Sequence, residues 1–174
     1  MNSEKSPDQV LPRVVNALKA SRMPYELLAH AERVGGAQDG ASLLGLALYQ
    51  TAPSLVLQTD KGPLVVIVPG DRRLSIKKLK KALSLRNASL AKSNVVEAVT
   101  GCQPGSVPIV NFDIPTVVDA GVLRQPWVYG GSGTWDHTLK MRPSDIVLLT
   151  DATILDVTEE RGIEGQGDKP GRFH

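Results

Sequence analysis

The sequence predicts a mixed α+β domain. Helical and strand periodicities interleave along the chain, and two runs of branched apolar residues flank a tight turn. The hairpin they form demands antiparallel pairing, which argues against a purely parallel doubly wound sheet. The chain has 174 residues, 41% of them hydrophobic, enough for one core that needs no disulfide or metal to stand.

The first element is a helix ending near Ser21, with Val10, Leu11, Val14, Val15 and Leu18 at helical spacing and Pro7 and Pro12 near its first turn. Tyr25 to His30 reads as a short extended run. A second helix is expected from Ala41 to Leu48, after breaks at Gly35-Gly36 and Asp39-Gly40. Ser54–Thr59 and Leu64–Val68 are the hairpin strands, joined through Asp60-Lys61-Gly62, whose glycine tolerates positive φ. Ser75 caps a helix through Leu83, which puts Ile76, Leu79 and Leu83 on one face and lysines mainly around the other. Asn94 with Glu97 resembles a capping box for a short helix ending at Gly101. From Gly101 to Pro108 the chain is too rich in breakers for regular structure. Thr116–Asp119, Val128–Tyr129, His137–Met141 and Thr153–Val157 read as strands, and Pro143–Leu149 as a helix opened by its proline. Residues 1–160 are expected to form a single domain, and the glycine-rich stretch 161–174 a disordered tail.

Composition narrows the function. Twenty basic against 18 acidic residues give a net charge of +2 and a pI near 8.7, too little for a histone-like DNA binder. No apolar run approaches the ~18 residues of a membrane span, and the polar start carries no secretory signal, so a cytoplasmic protein without membrane contact is expected. The seven aromatic residues are too few for a platform stacking many bases, although one base can be accommodated. The single cysteine, Cys102, excludes an internal disulfide or a paired-cysteine zinc site and reads as packing. Three histidines without HExxH spacing make a metal site a poor reading, and no cofactor is expected.

Three features can carry chemistry. From Arg72 to Val96 there are eight basic residues and no acid: Arg72, Arg73, Lys77, Lys78, Lys80, Lys81, Arg86 and Lys92. Such a face attracts phosphates, or simply solvates an exposed helix. The segments Gly105-Ser106-Val107 and Gly130-Gly131-Ser132-Gly133 can turn backbone N–H groups toward an anion or an oxyanion, though most such loops are only turns and neither matches a P-loop or dinucleotide fingerprint. His137, after Asp136 at the start of a strand, is placed to act as a base or hydrogen-bond donor, or to be structural.

The order of segments then resembles a known family. Val65-Val66-Ile67-Val68-Pro69-Gly70-Asp71-Arg72-Arg73-Leu74, Lys77-Lys78-Leu79, Ala88-Ser89-Leu90-Ala91 and Thr100-Gly101-Cys102-Gln103-Pro104-Gly105-Ser106-Val107-Pro108 come first. Val118-Asp119 and Gly131-Ser132-Gly133 follow, then His137-Thr138-Leu139-Lys140. Over Tyr25 to Val157 this string is similar to the YbaK and prolyl-tRNA editing domain family. The resemblance implies a curved mixed sheet, partly closed into a barrel and flanked by helices. It also implies a trans-editing hydrolase that removes a wrongly attached amino acid from tRNA.

Carried onto this chain, the resemblance makes Gly105, Asp119 and His137 the catalytic candidates. It places Pro53, Ser54, Ser106, Val107, Gly131 and Gly133 at the substrate, and Arg72, Arg73, Lys77, Lys78, Lys80 and Lys81 at the tRNA. The implied partners are the aminoacylated acceptor end of tRNA and an aminoacyl-tRNA synthetase. Two departures stand out. The family's glycine loop has proline at its fifth position, where this chain has Ile109 with Pro108 one place early. Where the family reads Lys-Thr-Leu, this chain reads Pro53-Ser54-Leu55, and proline supplies neither an ammonium nor a backbone N–H. The chain is therefore expected to be either a deacylase of altered specificity or a binding module that holds aminoacyl-tRNA, a nucleotide or a synthetase without catalysis.

Overall fold

The computed structural model describes residues 7–162, so the expected tail from 161 lies, apart from Arg161 and Gly162, outside the described residues. Its elements run α1 (Pro7–Ser21), β1 (Tyr25–Ala29), α2 (Ala37–Leu44), β2 (Ser54–Thr59), β3 (Gly62–Ile67), β4 (Arg72–Leu74) and α3 (Ile76–Leu83). β5 (Ala88–Leu90), α4 (Ser93–Thr100), β6 (Thr116–Asp119), β7 (Val128–Gly131), β8 (His137–Met141), α5 (Pro143–Thr150), β9 (Thr153–Leu155) and β10 (Thr158–Glu160) complete them. The mixed α+β class is what the hairpin and the interleaved periodicities predict.

The strands form a five-stranded sheet in the order β5-β2-β3-β6-β9, a three-stranded sheet β1-β8-β7 and a pair β10-β4. In the large sheet the hairpin pairs antiparallel while β3-β6 and β6-β9 pair parallel, so it is mixed. A bridge between Thr51 and Tyr129, with Ala52 N–H donating to Tyr129 O at 2.8 Å, joins the start of β2 to β7. The sheets curve around a shared interior there without closing into a barrel.

Strict alternation along β2 and β3 divides the apolar residues between two cores. Val56, Val65 and Ile67 face a cluster that takes Val14 and Leu18 of α1, Val118, Leu139 and Ile146. Leu57, Leu64 and Val66 face the other side, where α3 packs through fully buried Leu79. The Ser75 cap is as expected, its hydroxyl accepting from Lys78 N–H at 3.2 Å. Gly62 closes the hairpin with φ 105°, a conformation that favours glycine.

Several boundaries differ from the expectation. α2 begins at Ala37, running through Asp39-Gly40, and stops at left-handed Gly45; buried Gly40 is tolerated inside the helix because it packs near Val34. Leu48 belongs to a separate 3-10 turn, Leu48–Gln50. α4 starts one residue before Asn94, with Lys92 at the cap position and no side-chain cap, so the Asn94/Glu97 capping box does not form. Pro12 lies inside α1 rather than at its first turn. The run Thr153–Val157 breaks into β9 and the approach to β10, because Val157 N–H and the Thr158 hydroxyl both donate to the Asp119 carboxylate, at 2.9 and 3.0 Å. The three-residue strands β4 and β5 are too short to leave a readable period.

Cys102 is buried, and loss of hydration pushes its thiol up to about 11, against a smaller opposing effect of its hydrogen bond with Thr100. We expect a thiol reagent at pH 8 to label the native protein about two orders of magnitude more slowly than the urea-unfolded chain, because the reacting thiolate is scarce and covered. Equal labelling rates would contradict this burial.

Candidate functional site

A cavity of about 460 Å³ opens between the two larger sheets. Its walls come from four stretches: 34–46 around α2, 51–55 entering β2, the loop at Gly105 and Val107, and 129–138 from β7 to β8. Thr138 and Gly131, paired across β8 and β7, line it together with the flanking Tyr129 and His137. Its ionisable lining groups among the described residues are Asp39, Tyr129, His137 and Arg161. Asp39 accepts from Gly35 N–H at 3.2 Å, and Arg161 donates to Gly70 O at 3.0 Å. Trp135, 45% exposed, stands in the same wall.

The loop of residues 103–109 is fastened on several sides. Ser106 N–H donates to Gln103 O and Gly133 N–H to Ser106 O, at 3.0 and 2.9 Å. The Ser54 hydroxyl and the Asn111 amide both donate to Pro108 O, at 3.0 and 2.7 Å, and Ile109 N–H donates to Gly131 O at 3.0 Å. The N–H groups of Gly105 and Val107 find no acceptor among the described residues. Gly105 has φ 90°, and a Cβ there would lie 2.5 Å from Gly35 O. A Cβ on Gly131 would collide with Val107 O, and one on Gly130 with Ile109. Gly133, also at positive φ, lies against Val10 of α1. The second glycine segment is therefore the support against which the first is pressed, and it presents no separate anion cradle. Ser106 is buried behind the loop, and neither it nor Gly133 lines the cavity.

His137 Nδ1 lies 2.8 Å from Asp136 Oδ1. Hydrogen bonds from His137 first and Thr134 second hold the Asp136 carboxyl below its usual range, so the carboxylate is ionised and accepts a proton-bearing Nδ1. Nε2 has no hydrogen-bond partner among the described residues. Asp119 is placed differently. It is 2% exposed, does not line the cavity, and spends both oxygens on Gly121 N–H, Val157 N–H and the Thr158 hydroxyl. The structure gives it a fastening task and no access to a substrate in this cavity.

Pro53 lines the cavity one residue before β2, and its carbonyl accepts from Val68 N–H at 3.2 Å. Pro53 thus lines the cavity without breaking the hairpin ladder. Ser54 lines the cavity too, but its hydroxyl serves Pro108. The basic stretch is dispersed. Arg72 donates to Thr158 Oγ1 at 2.8 Å, Arg73 pairs with Glu159 at 2.7 Å, and Lys78 reaches Asp156 at 3.3 Å and Thr158 O at 2.8 Å. Lys77, Lys80 and Lys81 make no ion pair among the described residues, and none of α3 lines the cavity. The sequence reading missed the 34–46 wall, Trp135 and Arg161. Gly35-Gly36 was their one local signal, legible only as a break.

Comparison with known proteins shows the family and the fold. A solved structure of hypothetical protein APE2540 is 31% identical and superposes with a TM-score of 0.79 over 84% of this chain and 99% of its own. A second, described as a candidate trans-editing enzyme for prolyl tRNA synthetase, is 26% identical with a TM-score of 0.75 over 86% of this chain and 97% of its own. EbsC of Enterococcus faecalis, which carries the name of a Cys-tRNA(Pro)/Cys-tRNA(Cys) deacylase, is 27% identical over 84% of this chain and 90% of its length. The proline–tRNA ligase of Xanthomonas oryzae is 36% identical over 83 residues, 48% of this chain but only 15% of that far longer protein. The model of the aminoacyl-tRNA editing domain matches residues 31–149, a span that holds every wall of the cavity except Arg161, and the chain belongs to that family.

Proposed function

We propose that the chain hydrolyses the ester between a mismatched amino acid and the terminal ribose of tRNA, acting in trans on a released aminoacyl-tRNA. The observation that carries this reading is the fastened loop with two unoccupied N–H donors, Gly105 and Val107, at the wall of a cavity large enough for an amino-acid side chain. Attack of water on the ester carbonyl moves charge onto the carbonyl oxygen, where donors already held in place stabilise it without reorganising. The water proton passes to His137 Nε2, or is relayed through the neighbouring ribose hydroxyl, which gives up its own proton to the leaving ribose oxygen; on the His137 route Nε2 returns the proton to that oxygen. The C–O bond to the ribose breaks and the ribose oxygen is protonated, leaving a free amino acid and deacylated tRNA. Deacylation of a panel of mischarged tRNAs tests the activity and reads which amino acid the cavity accepts. A chain inactive on the whole panel at saturating enzyme sinks the proposal.

A second reading, a binding module without catalysis, is favoured by one observation, the proline at the cavity mouth. Two substitutions separate the readings. Gly105→Ala and Gly62→Ala both put a Cβ on a positive-φ residue, at a strain of about 1–3 kcal/mol each. Only Gly105 faces a backbone wall, whereas Gly62 faces open space. We expect G105A to lose hydrolysis by about 100-fold, the scale of one misplaced oxyanion donor, while G62A keeps it. Comparable activity in the two variants would remove the loop from the mechanism.

Pro53→Lys puts an ammonium at the mouth, where it pairs with phosphate or a polarised carbonyl. Losing the proline costs only about 0.4–1 kcal/mol through the unfolded state, so stability does not mask the effect. We expect deacylation of at least one mischarged tRNA to rise about tenfold, a barrier change of about 1.4 kcal/mol. A slower P53K variant would mean that Pro53 belongs to a site built to work without a lysine. Activity present only in P53K would favour the binding module.

A further inference from the structure

One face of the three-stranded sheet carries a row of residues out of the cavity and ends in two cations. On β7 and β8 one face reads, in register, Gly131 opposite Thr138, then Tyr129 opposite Lys140. Trp127 and Arg142 follow one two-residue step further on the flanking chain. The alternate positions, Val128 and Met141, point into the core. Gly131, Thr138 and Tyr129 line the cavity, so the face leads directly from it.

Rings hold the two cations of this face. Lys140 Nζ lies 5.0 Å from the centroid of Trp127 and 5.7 Å from that of Tyr129, and the Arg142 guanidinium carbon lies 5.1 Å from Trp127. Arg142 is exposed and has no carboxylate partner among the described residues. Lys140 has one, Glu26 at 3.6 Å; the Lys140 side chain is 20% exposed and that of Glu26 59%, so water screens the pair from the Glu26 side. Cations oriented by ring faces keep their hydrogen-bond donors for an incoming anion. Successive rows along a strand are about 6.8 Å apart, on the scale of one nucleotide step in an extended single strand.

We propose that Lys140 and Arg142 grip the backbone phosphates of the unpaired 3′ nucleotides of an RNA whose terminal ribose enters the cavity. The assignment rests on the deacylase reading for what occupies the cavity. It differs from the expectation that α3 is the RNA face: no residue of α3, and neither Arg72 nor Arg73, lines the cavity, whereas the β7-β8 face leads out of it.

The test is binding of a fluorescently labelled single-stranded RNA ending in ACCA, measured by anisotropy across a salt series. The wild type is compared with K140Q/R142Q, the charge-preserving K140R/R142K, and K77Q/K80Q/K81Q. We expect K140Q/R142Q to bind about tenfold more weakly or worse, with its log–log salt slope reduced by about 1.4, or 0.7 per lost contact. The charge-preserving pair should stay near wild type, and the α3 variant should keep both affinity and slope. On aminoacyl-tRNA, K140Q/R142Q should raise KM and leave kcat unchanged. Unchanged affinity and slope in K140Q/R142Q, or a loss confined to the α3 variant, overturns the proposal. A wild type that binds this RNA through Lys140 and Arg142 yet hydrolyses no aminoacyl-tRNA overturns the deacylase reading alone.

Discussion

The site depends on backbone approaching backbone where no Cβ fits. Gly105 lies against the carbonyl of Gly35, Gly131 against the carbonyl of Val107, and Gly130 between Ile109 and the carbonyl of Ala52. These contacts press the 103–109 loop between the 34–46 wall and β7. The hydrogen bonds of Ser54, Asn111, Gly131 and Gly133 then fix its height and tilt. Gly105 and Val107 of that loop line the cavity, and their N–H groups have no acceptor among the described residues. In the proposed hydrolysis such amides act as dipoles set before the substrate arrives, without a charged side chain at the carbonyl.

The same economy accounts for the tolerance of Pro53. Its carbonyl keeps its bond with Val68, so β2 and β3 retain their register although the residue carries no N–H. The cavity wall keeps its shape and loses one point charge. Of the cations nearby, Arg161 is tethered to Gly70 O, and Lys140 and Arg142 stand further along the sheet. Positive charge thus lies along the β7-β8 face that leads out of the cavity, with Arg161 at its wall.

Much of this was legible in the residues. The hairpin, the Ser75 cap and the loop at Gly105 are local signals, set by β-branched runs, a hydroxyl before a helical period, and breakers in series. The family's ordered segments located the fold. What sequence could not show is pairing at long range. Asp119 reads as a strand-end carboxylate ready for chemistry, and only its donors from Val157 and Thr158 reveal it as the clip that turns β9 toward β10. The basic run from Arg72 reads as one continuous face until β10 returns beside β4 and engages Arg72, Arg73 and Lys78. The glycines at 130–133 read as either a turn or a source of anion-facing amides, and the structure shows a further constraint on Gly130 and Gly131, close approach to Ile109 and Val107.

In the proposed hydrolysis the amides of Gly105 and Val107, which have no acceptor among the described residues, receive the oxyanion. Amide proton shifts in 15N-labelled protein test it directly, recorded with and without a phosphonate analogue of a 3′-aminoacyl-adenosine, whose tetrahedral oxygen stands in for that charge. The account predicts that Gly105 and Val107 move far downfield while Ser106, whose N–H is already given to Gln103 O, moves little. Binding of the analogue with Gly105 and Val107 unmoved, or with Ser106 moving as far as they do, would contradict it.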